Sequence, residues 1–139
     1  VLLDSKGMKP GDKAGLCAFQ SNYYTIGVEV DADGVRHLKA CKGAPRRGEQ
    51  TVLDMPLEKD KVWLKIRYVF TPSEDDTCGA DKAFVSYSLD GKTWIELEDM
   101  LAMRYTLDFF TGYRSALYSY ATSESGGYAD FDYFKQEIY

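Results

Sequence analysis

The sequence predicts an all-β chain folded as an antiparallel β-sandwich of jelly-roll type. Three observations carry that expectation. Apolar residues alternate at period two through most of the chain, and no segment shows a convincing helical period. Turn-forming clusters break the alternation at short intervals. Aromatic residues make up 14% of the 139 positions, eleven of them tyrosine, and such side chains suit pleated, half-buried surfaces.

The elements follow in chain order. Tyr24, Ile26, Val28 and Val30 line one face of a strand, with Thr25, Gly27, Glu29 and Asp31 on its reverse. The Asp31-Ala-Asp-Gly34 turn leads into a strand over Val35–Cys41. A loop over Gly43–Gly48 follows. Val62–Phe70 shows the clearest alternation: Val62, Leu64, Ile66, Tyr68 and Phe70 face one way, and Trp63, Lys65 and Arg67 the other. A Pro/Ser/Asp/Gly-rich loop spans Thr71–Asp81. Asp90-Gly91 has the chemistry of a two-residue hairpin turn, joining Ala83–Leu89 to Thr93–Leu97. Met100–Asp108 fits either a strand or one helical turn. Gly126-Gly127 precedes a last strand over Tyr128–Ile138. At this length one domain with one core is expected.

Charge and composition exclude several classes. A net charge of −5 argues against a binder of phosphate backbones. No apolar run approaches the roughly 20 residues needed to cross a bilayer. Val1–Asp4 has neither the basic start nor the long apolar stretch of a secretory signal. The chain begins without Met, so a fragment excised from a larger protein is expected. Three cysteines, Cys17, Cys41 and Cys78, leave at least one unpaired, which leans toward a reducing compartment without fixing a location. Cys17 and Cys41 read as buried free thiols.

Candidate chemistry narrows to binding. Glu29 and Asp31 share a strand face, but a third acid is missing where Gly34 stands, so a glycosidase pair is not expected. They read instead as a solvated strand end entering a turn. His37 and Cys41 share a face but lie roughly 13 Å apart along a strand, too far for a nucleophile and its base. His37 reads as a satisfied surface histidine. No cofactor is expected; a structural calcium on Asp130 and Asp132 is a minor alternative. Sugars present C–H faces to aromatic rings and hydroxyl edges to planar polar groups. Three segments offer both: Gln20, Asn22 and Tyr23 in one turn; Phe110, Tyr113 and Arg114 in a loop; and Tyr118 with Tyr120 on one strand face.

The residues also resemble a known module. The segments that carry the likeness are Gly11–Ser21, Tyr24–Val28, Tyr87–Trp94, Met103–Leu107, Phe110–Arg114 and Gly126–Phe134, in that order. They resemble the C-terminal concanavalin A-like β-sandwich of glycoside hydrolase family 43 β-xylosidases and α-arabinofuranosidases. The resemblance implies a non-catalytic module, since the family's catalytic acids sit on a separate five-bladed β-propeller. It implies two partners: xylan or xylo-oligosaccharides, and the propeller of a parent enzyme. It also implies a choice of role. The module binds sugar itself, or it packs on the propeller and shapes substrate access without binding sugar. The family module begins further upstream, so residues 1–139 are expected to lack its first strands, and no pocket-closing residue is carried over.

Overall fold

The computed structural model describes residues 1–70, 81–103 and 110–138. Among these residues the chain is all strand, turn and loop, as the alternation predicts. The strands are β1 (Leu2–Asp4), β2 (Asp12–Phe19), β3 (Tyr23–Val30), β4 (Arg36–Ala44), β5 (Gly48–Pro56), β6 (Lys61–Val69), β7 (Asp81–Ser88), β8 (Ile95–Met103), β9 (Arg114–Ala121) and β10 (Asp130–Phe131).

They form two antiparallel five-stranded sheets, ordered β10-β1-β6-β7-β8 and β5-β4-β3-β2-β9. The sheets stack with β2 over β6 and β3 over β7. Period two explains the core. Tyr24, Ile26, Val28 and Leu38 turn inward from one sheet, and Leu3, Val62, Leu64 and Val85 from the other. Each such buried side chain stabilises the fold by about 1.5–3 kcal/mol relative to exposure. The alternate residues of β2, β3, β4 and β9 face outward, and there the chain spends its aromatic and charged groups.

The turns show how side chains close the strands. Asp31 Oδ1 accepts from the backbone N–H groups of Asp33 and Val35, at 2.9 and 2.8 Å. Gly34 follows with φ at 84°, a left-handed conformation that glycine adopts without a Cβ penalty. One register irregularity matters for the outer surface. Between Ala40 and Cys41, β5 carries an extra residue relative to β4, because Leu53 pairs with Ala40 and Thr51 with Cys41. Such a bulge bends the edge strand and increases its twist.

Three expectations need correction. The Asp90-Gly91 connection is longer than a two-residue turn: pairing stops at Tyr87 and Ile95. The Asp90 carboxylate organises the intervening loop by accepting from the N–H groups of Lys92 and Thr93 and from the Ser88 hydroxyl. The last strand shrinks from Tyr128–Ile138 to Asp130–Phe131, since its partner β1 is three residues long and supplies only Leu3 and Asp4 for pairing. The loop over Gly43–Gly48 is shorter, because β4 runs on to Ala44. Met100–Met103 of the ambiguous segment are strand; its remainder, most of the Thr71–Asp81 loop and Cys78 lie outside the described residues.

Candidate functional site

The outer face of the β5-β4-β3-β2-β9 sheet carries a groove of about 330 Å³. In-register pairing builds it row by row. Glu29 lies between Lys13 and His37, Gly27 between Gly15 and Lys39, and Thr25 between Cys17 and Cys41. Strand β9 adds Tyr120 beside Lys13, Tyr118 beside Gly15 and Ala116 beside Cys17.

Small residues make the floor and aromatic residues the wall. Tyr118 reaches across the glycines: a Cβ built on Gly27 would sit 2.6 Å from the Tyr118 hydroxyl, and one on Gly15 would sit 2.8 Å from it. Tyr23 lies over Gly43 in the same manner. The rings of Tyr118 and Tyr120 are 6.1 Å apart and inclined by 40°. Tyr118 is half-buried, whereas Tyr120 is 54% exposed and offers an open face. The Tyr23 hydroxyl donates to Glu49 at 2.8 Å.

The far end of the groove is charged. Lys13 and Lys39 both contact Glu29 Oε2, at 3.1 and 3.2 Å. Lys39 also pairs with Asp54 at 3.4 Å. Partial burial works against the two ammonium groups, but the pairing with Glu29 outweighs it and raises both lysines above their ordinary value.

Elsewhere in the groove the thiols and two of the tyrosines are held in their neutral forms. Burial pushes the Cys17 thiol up to about 12 and also raises Cys41. Burial, with help from Glu49, raises Tyr23 to about 12. Burial, then the neighbouring Tyr120, lifts Tyr118 well above the usual phenol range. At neutral pH the walls therefore present uncharged rings, hydroxyls and thiols. A thiol this reluctant to ionise is no nucleophile.

The structure brings together three of the eight residues picked from sequence: Tyr23, Tyr118 and Tyr120 all line the groove. Gln20 and Arg114 meet in a separate 80 Å³ hollow with Thr111, and Phe19 borders both cavities. Gln20 is buried, and its Nε2 donates to the Thr111 carbonyl at 2.5 Å, which ties two loops together. Asn22 sits in the same turn, its carbonyl accepting from the Gln20 N–H. Tyr113 packs against the core. Phe110 is 85% exposed and lies outside both cavities.

Sequence reasoning missed Lys13, Glu29, Lys39 and Glu49. The signal was available for Glu29, which was seen on the outward face of its strand but read as a solvated end. His37 is satisfied, as expected, by Asp54 at 2.8 Å and Asp31 at 3.3 Å. Cys17 and Cys41 are both buried free thiols. They stand two strands apart with Thr25 between, a spacing of about 9–10 Å that no disulfide spans. Asp130 and Asp132 are exposed, and among the described residues no group of three or more acids, histidines or cysteines could hold a metal.

Comparison with known proteins fits this architecture. Residues 1–137 match the family model of the beta xylosidase C-terminal concanavalin A-like domain. The chain belongs to this family. It is 30% identical over 133 residues to a beta-xylosidase of Formosa agariphila, covering 94% of this chain and 19% of that protein. A solved bifunctional GH43-CE protein of Bacteroides eggerthii superposes with a TM-score of 0.83 at 41% identity, over 95% of this chain and 16% of the other. A GH43 glycoside hydrolase engineered for both endo-xylanase and exo-arabinofuranosidase activity superposes at 0.79 over 92% of this chain and 26% of its own, and its 23% identity speaks for the fold alone. The module thus spans about a fifth of the curated relative's length. It is an accessory C-terminal domain of GH43 glycoside hydrolases.

Proposed function

We propose that this domain is a non-catalytic carbohydrate-binding module that holds xylan or xylo-oligosaccharides in the outer groove. The observation that carries the reading is the meeting of Tyr23, Tyr118 and Tyr120 along one groove above a floor of small residues. The rings offer faces for sugar C–H groups, while Glu49, Glu29 and the lysines offer hydrogen bonds at the edges.

The charge balance favours a neutral ligand. Lys13 and Lys39 offset Glu29 and Glu49 among the lining residues. Affinity should therefore be modest and change little with salt. Chemistry on the sugar is not supported. Glu29 and Glu49 are the carboxylates of the groove, and they belong to rows six residues apart on β3. Their backbones are about 20 Å apart by strand rise, and each carboxylate is already engaged, Glu29 by Lys13 and Lys39 and Glu49 by the Tyr23 hydroxyl.

Calorimetric titration of the purified domain with xylohexaose, with cellohexaose as control, tests the proposal. Saturable heat with xylohexaose supports it. Silence from a folded sample overturns it and leaves packing on a catalytic β-propeller as the role to test.

A further inference from the structure

Glu29 occupies the one place in the groove where a carboxylate, two ammonium groups and an open aromatic ring meet. It sits on β3 between Lys13 of β2 and His37 of β4, and about three-quarters of each of the Lys13, Glu29 and Lys39 side chains is shielded from solvent. Both lysines converge on the same oxygen, Oε2. Among the described residues nothing bonds Oε1, so a full acceptor remains. Each ammonium has three N–H donors. Lys13 commits one to Glu29, and Lys39 commits one each to Glu29 and Asp54.

A carboxylate oxygen beside an ammonium with spare donors matches one ligand feature closely. Two adjacent hydroxyls on a sugar ring can engage it together: one donates to the carboxylate, and its neighbour accepts from the ammonium. Tyr120 stands next to Lys13 in register and is the most exposed ring of the groove, so the face of the same ring can rest on it. The local charges cancel, with Lys13 and Lys39 against Glu29 and Asp54. That balance gives no pull toward a uronate or a sulfated sugar.

We propose that Glu29 and Lys13 form a clamp for a vicinal diol, and that this end of the groove reads the hydroxyl pattern of a neutral pyranose while the tyrosines supply the stacking surface. The inference rests on the groove being a sugar site, and it names the polar residues that give that site selectivity.

Titration with xylohexaose of the unaltered domain, Glu29→Gln, Lys13→Met and Tyr120→Ala separates the two levels. Glu29→Gln keeps the shape of the side chain but not its charge, and Lys13→Met keeps an apolar stem without the donors. Each should weaken binding about tenfold or more, the effect of losing a hydrogen bond to a charged group. Melting curves on the same samples report folding, and Lys13→Met carries the test if Glu29→Gln does not fold. Should Tyr120→Ala weaken binding while both clamp variants match the unaltered domain, the clamp is overturned and the groove stands. If the unaltered domain binds nothing, both fall together.

Discussion

The Tyr118 hydroxyl lies over Gly27, two strands away from its own backbone, so close that a Cβ on Gly27 would stand 2.6 Å from it. The ring crosses β2 above Gly15 to reach β3, and the two glycines face each other in register. A methyl group at Gly27 would also strike the Ala14 carbonyl, which is backbone and yields little. Gly27→Ala should therefore lower the unfolding free energy by about 1–3 kcal/mol, the usual cost of forcing atoms into a packed site. Urea denaturation followed by tyrosine fluorescence would measure it. Unchanged stability would show that both the Tyr118 ring and the strand at Ala14 give way freely.

Tyr120 and Tyr118 should respond differently to truncation, although they share a strand face. Tyr120 is 54% exposed, so Tyr120→Ala should leave stability within about 0.5 kcal/mol. Its contribution is to an open surface, and retention on insoluble xylan should drop about tenfold, as for an aromatic anchor of an interface. Tyr118→Ala would open the floor above Gly15 and Gly27 and should cost stability as well. Affinity electrophoresis beside thermal melts distinguishes the two. Equal melting losses for both variants would contradict the difference in burial.

Much of this architecture was legible because strands report their two faces. Tyr24, Ile26, Val28 and Val30 announced the core, and all four are buried. Tyr118 and Tyr120 were legible as aromatics on one strand face and Tyr23 as a turn residue beside amides, but not as one cluster. That required the order β4-β3-β2-β9, in which the first and last strands of the groove are far apart in sequence. Glu29 was hidden for another reason. A carboxylate at a strand end reads as solvated until cross-strand partners are known, and Lys13 and Lys39 become its neighbours only through pairing register. Asp90 misled in the opposite direction. Asp-Gly signals a tight hairpin locally, but the carboxylate bonds to Ser88, Lys92 and Thr93 hold a wider loop open.

Asp90 gives a prediction on the acid side. The backbone N–H groups of Thr93 and Lys92, followed by the Ser88 hydroxyl, hold its carboxyl well below the usual range. The folded chain therefore keeps Asp90 ionised at a pH where the unfolded chain binds a proton. The resulting stability is present above the ordinary aspartate value near 3.8 and is lost as pH falls through the depressed folded value. Asp90→Ala should lower the melting temperature at pH 7 and narrow its gap from the unaltered domain below pH 3.8. A gap that stays constant from pH 7 to pH 2 would mean that the charge of Asp90 does not contribute.

The alkaline side should be governed first by the buried thiols. Burial raises Cys17 from about 9.0 to about 12, so between those values the unfolded chain releases a proton that the folded chain retains. Unfolded protein is then favoured progressively as pH rises from about 9, and the loss levels off only when the folded thiol itself ionises near 12. Cys41 shifts in the same direction. The tyrosines Tyr23, Tyr24 and Tyr118 are also raised, but from an ordinary value of 10.0, so their effect begins about one pH unit later. The interval from pH 9 to 10 is therefore where the cysteines weigh most against the tyrosines. Cys17→Ala should show a shallower fall in urea midpoint across that interval than the unaltered domain, whatever its stability at pH 7. Identical slopes would mean that the Cys17 thiol reaches solvent along the groove floor and titrates as an ordinary cysteine.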